Sequence, residues 1–167
     1  MKLENIDKAT FKKRLNWLQG GMVAGLLVLS LLFSALYTTL WSDGGSNTLL
    51  NMAAVVTAAL ILAAVMRLFR EHPLLHEILY VRALKQELNR IYRASRKLEA
   101  ALQDDRPEAL IIRYFQLHGS EHLYELEDNT LTVEDLKQQM AELDQRLAAA
   151  GLSISVADYR RELLDTL

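Results

Sequence analysis

Two long stretches without a charged residue constrain this chain more than any other feature of its sequence. No charge occurs in the 28 residues between Arg14 and Asp43, and none occurs in the 23 residues between Asp43 and Arg67. A water-soluble domain rarely contains two such runs, whereas each is long enough to cross the hydrocarbon core of a bilayer. The sequence therefore predicts a membrane protein. The 51% apolar content excludes a disordered chain, and the absence of cysteine excludes a disulfide-rich scaffold.

The first run predicts a transmembrane helix from Trp17 to Trp41. At about 1.5 Å per residue it extends roughly 36 Å, slightly more than the hydrocarbon thickness. Trp17 at one end and Tyr37 with Trp41 at the other suit the two headgroup regions. A cleaved signal peptide is disfavoured, because the run is about twice as long as the usual apolar region and no small-residue cleavage site follows it. We expect an uncleaved anchor.

The second run predicts another transmembrane helix over residues 48–66. Residues 42–47 connect the two spans with turn-forming side chains, and so short a connection requires a tight antiparallel hairpin. Such a chain is a multi-pass membrane protein.

The distribution of basic residues predicts the orientation of this hairpin. Five lysine and arginine residues precede the first span, none lies in the connection, and eight lie between Arg67 and Lys97. By the positive-inside rule, both termini then face the cytoplasm. The five that precede the first span are Lys2, Lys8, Lys12, Lys13 and Arg14. The predicted domains are a cytoplasmic N-terminal segment (1–16), the transmembrane hairpin (17–68) and a cytoplasmic domain (69–167).

Small residues in the first span have the spacing of close helix packing. Gly21 and Gly25 form a G-x-x-x-G pattern, and Ser30 and Ser34 repeat the four-residue spacing. These residues pack either against the alanine-rich second span of the same chain or in a contact between protomers, and the sequence leaves both open. No ionisable side chain lies in either span, which argues against an ion pathway or a proton relay.

The remainder of the chain predicts a cytoplasmic helical bundle, so the expected fold is an all-α membrane protein. Apolar residues recur at helical spacing, and no segment alternates like a strand. The first helix of this part is expected to be long and amphipathic, from Pro73 to about Asp104. Its a and d positions over three heptads are Val81, Leu84, Leu88, Ile91, Ser95, Leu98 and Leu102. Three heptads fit either an intramolecular bundle or a short coiled coil between chains.

Capping residues and glycines predict the remaining helix boundaries. A helix is expected to end at Gly119, with a short helical turn over residues 120–127, and a later helix is expected to end at Gly151. The three predicted helix starts are Asp105-Arg106-Pro107-Glu108, Thr132-Val133-Glu134-Asp135 and Ser155-Val156-Ala157-Asp158. The last of these is expected to open a final amphipathic helix.

The long helix is expected to carry a cationic surface, which we call the basic face. On a wheel of about 100° per residue, six basic residues fall within an arc of about 140°, opposite the apolar positions. These residues are Arg82, Lys85, Arg90, Arg93, Arg96 and Lys97. The simplest interpretation of the basic face is a solvated helix surface.

Two partners for the basic face remain open. Anionic lipid headgroups are nearest, because the helix follows the hairpin, and each basic residue near a bilayer contributes about 1 kcal/mol. The chain's own acidic part is the other, since residues 69–103 carry seven basic and four acidic groups, net +3, whereas residues 104–167 carry six and fourteen, net −8. We expect no nucleic-acid partner, because this acidic part would repel phosphates.

The histidine pairs are weak candidates for a metal site. His72 with His76 and His118 with His122 have the i, i+4 spacing that can bring two imidazoles to one ion. Proline or glycine is expected to interrupt the helix within each pair, so we expect no metal site.

Other chemical motifs are incomplete. Asp128-Asn129-Thr130 resembles the start of a calcium loop, but Val133 and Gln139 stand where the loop requires glycine and glutamate. The sequence has no phosphate-binding loop, no nucleophile elbow and no dinucleotide fingerprint. We therefore expect no cofactor and no catalytic residue, and the sequence identifies no small-molecule substrate. An enzyme would require a deep polar pocket near His118, His122, Tyr114 or Tyr124.

Three segments resemble a bacterial membrane-protein family, the domain-of-unknown-function family numbered 3087. They are LKQELNRIYR (84–93), GSEHLY (119–124) and LEDNTLT (126–132), and the resemblance covers nearly the whole chain. It implies a bacterial inner-membrane protein with a cytoplasmic helical domain, and it implies no activity, cofactor or catalytic residue.

Together these features favour a membrane-anchored helical interaction or scaffold protein, which presents its cytoplasmic domain to a membrane-protein partner or to copies of itself. The alternative is a regulatory module that responds to anionic membrane lipid through the basic face.

Overall fold

The computed structural model describes residues 3–129 and 132–167, and every regular element in these ranges is helical. This confirms the prediction of an all-α fold. The α-helices are α1 (Lys8–Trp41), α2 (Thr48–Leu68), α3 (His76–Arg93), α4 (Ser95–Gln103), α5 (Pro107–Glu127) and α6 (Val133–Ala149). Short 3-10 helices cover Pro73–Leu75, Val156–Asp158 and Arg161–Thr166. Lys2, which contributes to the predicted orientation, and residues 130 and 131 of the third family segment lie outside the described ranges.

The described chain forms two compact units. The first, which we call the hairpin unit, comprises Ala9–Leu79. The second, which we call the helical unit, comprises residues 3–8 together with Tyr80–Leu167.

Helices α1 and α2 are both long enough and apolar enough to cross a membrane. α1 begins at Lys8, well before the predicted span, and its 34 residues extend about 50 Å. Polar side chains join the two helices: Ser34 Oγ donates to Asn51 Oδ1 at 2.6 Å, and the hydroxyls of Tyr37 and Thr57 lie 2.9 Å apart. These contacts satisfy polar groups inside an otherwise apolar pair.

The end of the hairpin unit is held by an ion pair. The 3-10 helix Pro73–Leu75 leads into α3, and the His72 side chain caps it by accepting the Leu74 N–H at 3.2 Å. Arg14 Nη1 lies 2.5 Å from the Glu77 carboxylate and donates to the Pro73 carbonyl at 3.2 Å. Although desolvation opposes it, the hydrogen bond and charge of Arg14 help to hold the pKa of Glu77 below its ordinary value.

The prediction of one long helix from Pro73 to Asp104 is wrong at two places. Its first turn is 3-10, and the helix is interrupted at Ala94, between α3 and α4. The Ala94 N–H is shared between the Ile91 carbonyl at 3.0 Å and the Arg90 carbonyl at 3.3 Å. This tightened turn, with no proline or glycine in it, leaves no signal in the sequence.

The prediction that Gly119 ends a helix is also wrong, because α5 continues through it to Glu127. A Cβ at position 119 would lie 3.2 Å from Leu88 Cδ2 and 3.4 Å from Leu84 Cδ1. The glycine therefore permits close packing of α5 against α3 instead of stopping the helix. The separate helical turn expected over residues 120–127 is part of the same α5.

Asp105 does not cap α5 as predicted. Arg106 occupies the N-cap position without a side-chain cap, and Pro107 is the first helical residue. Asp105 instead adopts a left-handed conformation (φ 51°) and pairs with Arg146 of α6 at 2.6 Å.

The end of α6 agrees with the sequence, but the final helix does not. α6 begins after Thr132 and ends at Ala149, and Gly151 takes a positive φ of 64°. The expected amphipathic helix after Ser155 is replaced by the two short 3-10 helices. Ser155 does begin a turn, since its N–H and Oγ both donate to the Asp158 carboxylate, at 2.7 and 3.0 Å.

The core of the helical unit forms where α3, α4 and α5 bury their apolar faces. Its most deeply buried aliphatic and aromatic side chains are Leu84, Ile91, Leu98, Leu110, Ile112, Phe115 and Tyr159. Tyr159 stacks on Phe115 with ring centroids 4.0 Å apart, so the C-terminal segment contributes to this core.

Replacing Gly119 with leucine is expected to lower the free energy of unfolding by about 1–3 kcal/mol, because the larger side chain would overlap Leu84 and Leu88. Urea titration of the full chain in mild detergent, followed by circular dichroism, would measure it. Gly119→Ala is the control, because its smaller clash is opposed by a gain in helix propensity of about 1 kcal/mol. Equal stability of the two variants would contradict close packing at this position.

Candidate functional site

The basic face lies on α3 and α4 with all six of its side chains exposed: Arg82, Lys85, Arg90, Arg93, Arg96 and Lys97. The apolar positions on the other side of these helices are buried, among them Leu84, Ile91 and Leu98. The interruption at Ala94 therefore does not remove any of the six cations from the surface. Tyr92, which lies beside the arc, is 71% exposed. Exposed tyrosine and arginine together are typical of binding surfaces.

Most cations of the basic face form no ion pair with the residues that the structure describes. Lys85 pairs with Glu127 of α5, whereas the other five cations form no ion pair with any residue in the described ranges. The acidic C-terminal part thus reaches the basic face at Lys85 only, among the contacts that the structure describes. Within the described ranges, five exposed cations thus lack an ion-pair partner, although the charge of one of them, Arg90, acts on the nearby Glu87.

Next to the basic face, a buried carboxylate binds the C-terminal segment. Glu87 is 2% exposed, and Tyr159 is 1% exposed. The Tyr159 hydroxyl donates to Glu87 Oε1 at 2.7 Å, and Arg161 donates to Glu87 Oε2 from Nε at 3.1 Å and from Nη2 at 2.7 Å. We call Glu87, Tyr159 and Arg161 the C-terminal clasp.

The clasp keeps its carboxylate charged despite burial. Desolvation alone would raise the pKa of Glu87, but the hydrogen bonds from Arg161 and Tyr159, together with the positive charges of Arg161 and Arg90, hold it below the ordinary value of 4.5. Burial, followed by the hydrogen bond to Glu87, raises the pKa of Tyr159. The clasp therefore combines a carboxylate anion with a neutral phenol, an arrangement suited to structural attachment rather than to proton transfer near neutral pH.

Sequence reasoning missed this clasp. A usable signal was present, because Glu87 lies at helical spacing between the apolar residues Leu84 and Ile91, where a charged side chain requires a partner. The partner lies 72 residues away, so no local pattern in the sequence identifies it.

The two histidine pairs lie in different surroundings. α5 is continuous, so His118 and His122 do share one helix, in contrast to the expected interruption at Gly119. However, the described residues contain no group of three potential ligands that could hold an ion. His72 instead uses Nδ1 to cap the 3-10 turn, and the ring of His118 lies against Tyr114 with centroids 4.2 Å apart.

The small residues of α1 fall into two groups. A Cβ on Gly25 would lie 3.2 Å from Leu62 Cδ2, and Ser34 hydrogen-bonds Asn51, so both face α2 of the same chain. Gly21 has no such neighbour within 4 Å, and Ser30 is half-buried. Their roles in packing within a bilayer stay a prediction.

The electrostatics of the clasp predict how stability depends on pH. Because the pKa of Glu87 is lowered by folding, its contribution is present above about pH 4.5 and is lost as the pH falls through the folded-state pKa. Because the pKa of Tyr159 is raised by folding, its contribution is present below pH 10 and is lost as the pH rises further. The contribution of the clasp to the melting temperature of the full chain in detergent should therefore be constant between these two pH limits.

Glu87→Gln is expected to lower the free energy of unfolding at pH 7 by about 1.5–3 kcal/mol, because it removes a charged hydrogen-bond acceptor, and to flatten the acid limb of the pH profile. The matched control is Glu99→Gln, since Glu99 is an exposed residue that pairs with Arg113 at 3.5 Å. An acid limb as steep in Glu87→Gln as in the unmodified chain would contradict the assignment.

Comparison with known proteins agrees with the resemblance of the three segments. The family described as a protein of unknown function (DUF3087) matches residues 1–164. No curated protein and no solved structure matches the chain. Because the match extends over almost the entire sequence, the chain belongs to the family of proteins of unknown function numbered 3087.

Proposed function

We propose that this chain is a membrane-anchored interaction protein of the bacterial inner membrane. α1 and α2 insert as a hairpin with both termini in the cytoplasm, and the helical unit offers the basic face to an acidic surface of a membrane-protein partner. We infer the interaction from five exposed cations of the basic face that have no ion-pair partner among the described residues.

Exposed apolar side chains support the anchoring. Leu31 of α1 is 70% exposed, and Leu49 and Leu60 of α2 are 79% and 66% exposed. Apolar surface on this scale is unfavourable in water and is typical of membrane or protein contacts. The basic residues that flank the hairpin, and their absence from residues 42–47, support the cytoplasmic orientation.

The charge pattern supports a protein partner. Surface arginines beside an exposed aromatic ring bind acidic groups through directed hydrogen bonds, and such residues often dominate binding energy. Arg93, Arg96 and Tyr92 provide this combination on α3 and α4.

Anchoring is tested by fractionation and by a reporter of topology. We expect the chain to stay in the membrane pellet after an alkaline carbonate wash, and a green fluorescent protein fused after residue 167 to fluoresce in intact cells, because that fusion folds in the cytoplasm. Recovery of folded chain from the aqueous fraction without detergent, or a C-terminal fusion on the outer side, would contradict the proposal.

The interaction is tested by charge reversal on the basic face. Arg93→Glu combined with Arg96→Glu is expected to weaken capture of the partner from native membranes at least about tenfold, because like charges then meet in the interface. The control is Lys137→Glu combined with Arg160→Glu, which reverses two exposed cations away from the basic face. Quantitative pull-down in mild detergent, with mass measured by light scattering, gives the readout. A strict monomer without a companion, or an equal loss in both double variants, would refute the interaction.

Anionic lipid is a second candidate partner, favoured by the position of α3. Only residues 69–75 separate the end of α2 from the start of α3, so part of the basic face stays near the bilayer surface if α2 spans it. Recovery of anionic but not of neutral lipid with the full-length chain in mild detergent, with a decline at high salt and a loss on Arg93→Glu combined with Arg96→Glu, would support this candidate; equal recovery of both lipids would exclude it.

A further inference from the structure

The hairpin unit contains an apolar cavity of about 750 Å³. It lies where the first turns of α1 meet the end of α2 and the 3-10 helix Pro73–Leu75. Its apolar wall includes Trp17, Leu18, Val65, Met66 and Phe69. The volume is within the range of pockets that bind small organic ligands.

Apart from Thr10, the polar residues of this cavity are basic. Lys13, Arg14 and His72 line it, and none of its lining residues is acidic. Arg14 is already neutralised by Glu77. Lys13 is exposed and makes no ion pair within the described part of the chain. Because His72 Nδ1 accepts the Leu74 N–H, its Nε2 carries the proton and can donate.

The cavity thus has an apolar interior beside one unpaired cation and one neutral donor. That combination fits a ligand with a hydrocarbon chain attached to a single anionic group. A membrane phospholipid has this chemistry, and basic pockets between membrane helices on the cytoplasmic side are suited to anionic headgroups. Trp17, which is 77% exposed at the predicted end of the first span, is placed at the depth where headgroups and chains meet.

We propose that this cavity binds one anionic glycerophospholipid, with the phosphate at Lys13 and His72 and an acyl chain against Trp17 and Phe69. The inference rests on the anchoring part of the proposed function, since the ligand comes from the bilayer. It is independent of the basic face, whose residues line no part of this cavity.

The two tryptophans of the chain provide the experiment, because Trp17 lines the cavity and Trp41 lies at the other end of α1. Full-length Trp41→Phe and Trp17→Phe proteins each keep one reporter. Each protein is reconstituted into two kinds of phosphatidylcholine vesicle. One contains a small fraction of phosphatidylglycerol that is brominated on its acyl chains, and the other contains the same fraction of brominated phosphatidylcholine. Bromine quenches a tryptophan that it contacts.

We expect brominated phosphatidylglycerol to quench Trp17 about fivefold more effectively than brominated phosphatidylcholine, the ratio that corresponds to about 1 kcal/mol for one basic group. Trp41 should show no preference. Adding Lys13→Gln to the Trp41→Phe protein should bring the Trp17 ratio close to one, while Arg67→Gln, which removes a cation that does not line the cavity, should leave it unchanged.

Each other outcome has a distinct meaning. Equal effects of Lys13→Gln and Arg67→Gln, or no preference at Trp17, would overturn the lipid site while leaving the anchor intact. Loss of the preference on addition of soluble glycerol 3-phosphate would also overturn it, because the site would then take a free phosphate ester. Absence of quenching at both tryptophans by both lipids would refute the anchoring itself.

Discussion

Helices α1 and α2 carry no charged side chain over residues 15–42 and 44–66, and they satisfy their backbone hydrogen bonds internally. Some of their polar side chains are paired across the two helices, Ser34 with Asn51 and Tyr37 with Thr57. A helix pair built in this way needs no water along its length, which is the condition that a bilayer imposes on any chain that crosses it. Under the proposed anchoring, the nearest charged residues lie just outside the two spans: Arg14 before the first, Asp43 in the connection and Arg67 after the second.

Most basic residues in the rest of the chain fall into two groups, those that form ion pairs within the fold and those that are exposed on the basic face. Three arginines of the acidic part form ion pairs within the helical unit: Arg146 with Asp105, Arg113 with Glu99 and Arg161 with Glu87. These pairs join α6 to the loop before α5, α5 to α4, and the C-terminal segment to α3. The cations of the basic face, in contrast, take little part in holding the fold together. Under the proposed function, their removal should therefore change binding far more than stability.

The sequence predicts those features of this fold that depend on local composition. Apolar runs without charge predict the two long helices, and helical spacing predicts an all-α domain with a cationic surface on one side. The start of α6 after Thr132 and the positive φ of Gly151 follow from local capping chemistry. The basic face was likewise found from the sequence, because all six residues lie within two consecutive helices.

Features that depend on distant contacts were not predictable. Gly119 has the pattern of a helix stop, and only the neighbouring Leu84 and Leu88 show why a glycine lies inside α5. The shared hydrogen bond at Ala94 and the capture of Asp105 by Arg146 are set by tertiary packing in the same way. The cavity beside Lys13 is formed by residues from 10–18 and from 65–75, which are far apart in the sequence, so no motif marks it.

The C-terminal clasp has a consequence for the order in which the protein is made. During translation Glu87 emerges from the ribosome 72 residues before Tyr159, the phenol that will cover its carboxylate. Until then the charge has to stay hydrated, since an anion without a partner is costly to bury. The nascent helices around α3 and α5 consequently remain open to solvent, and to chaperones, until that stretch of the chain has been synthesised.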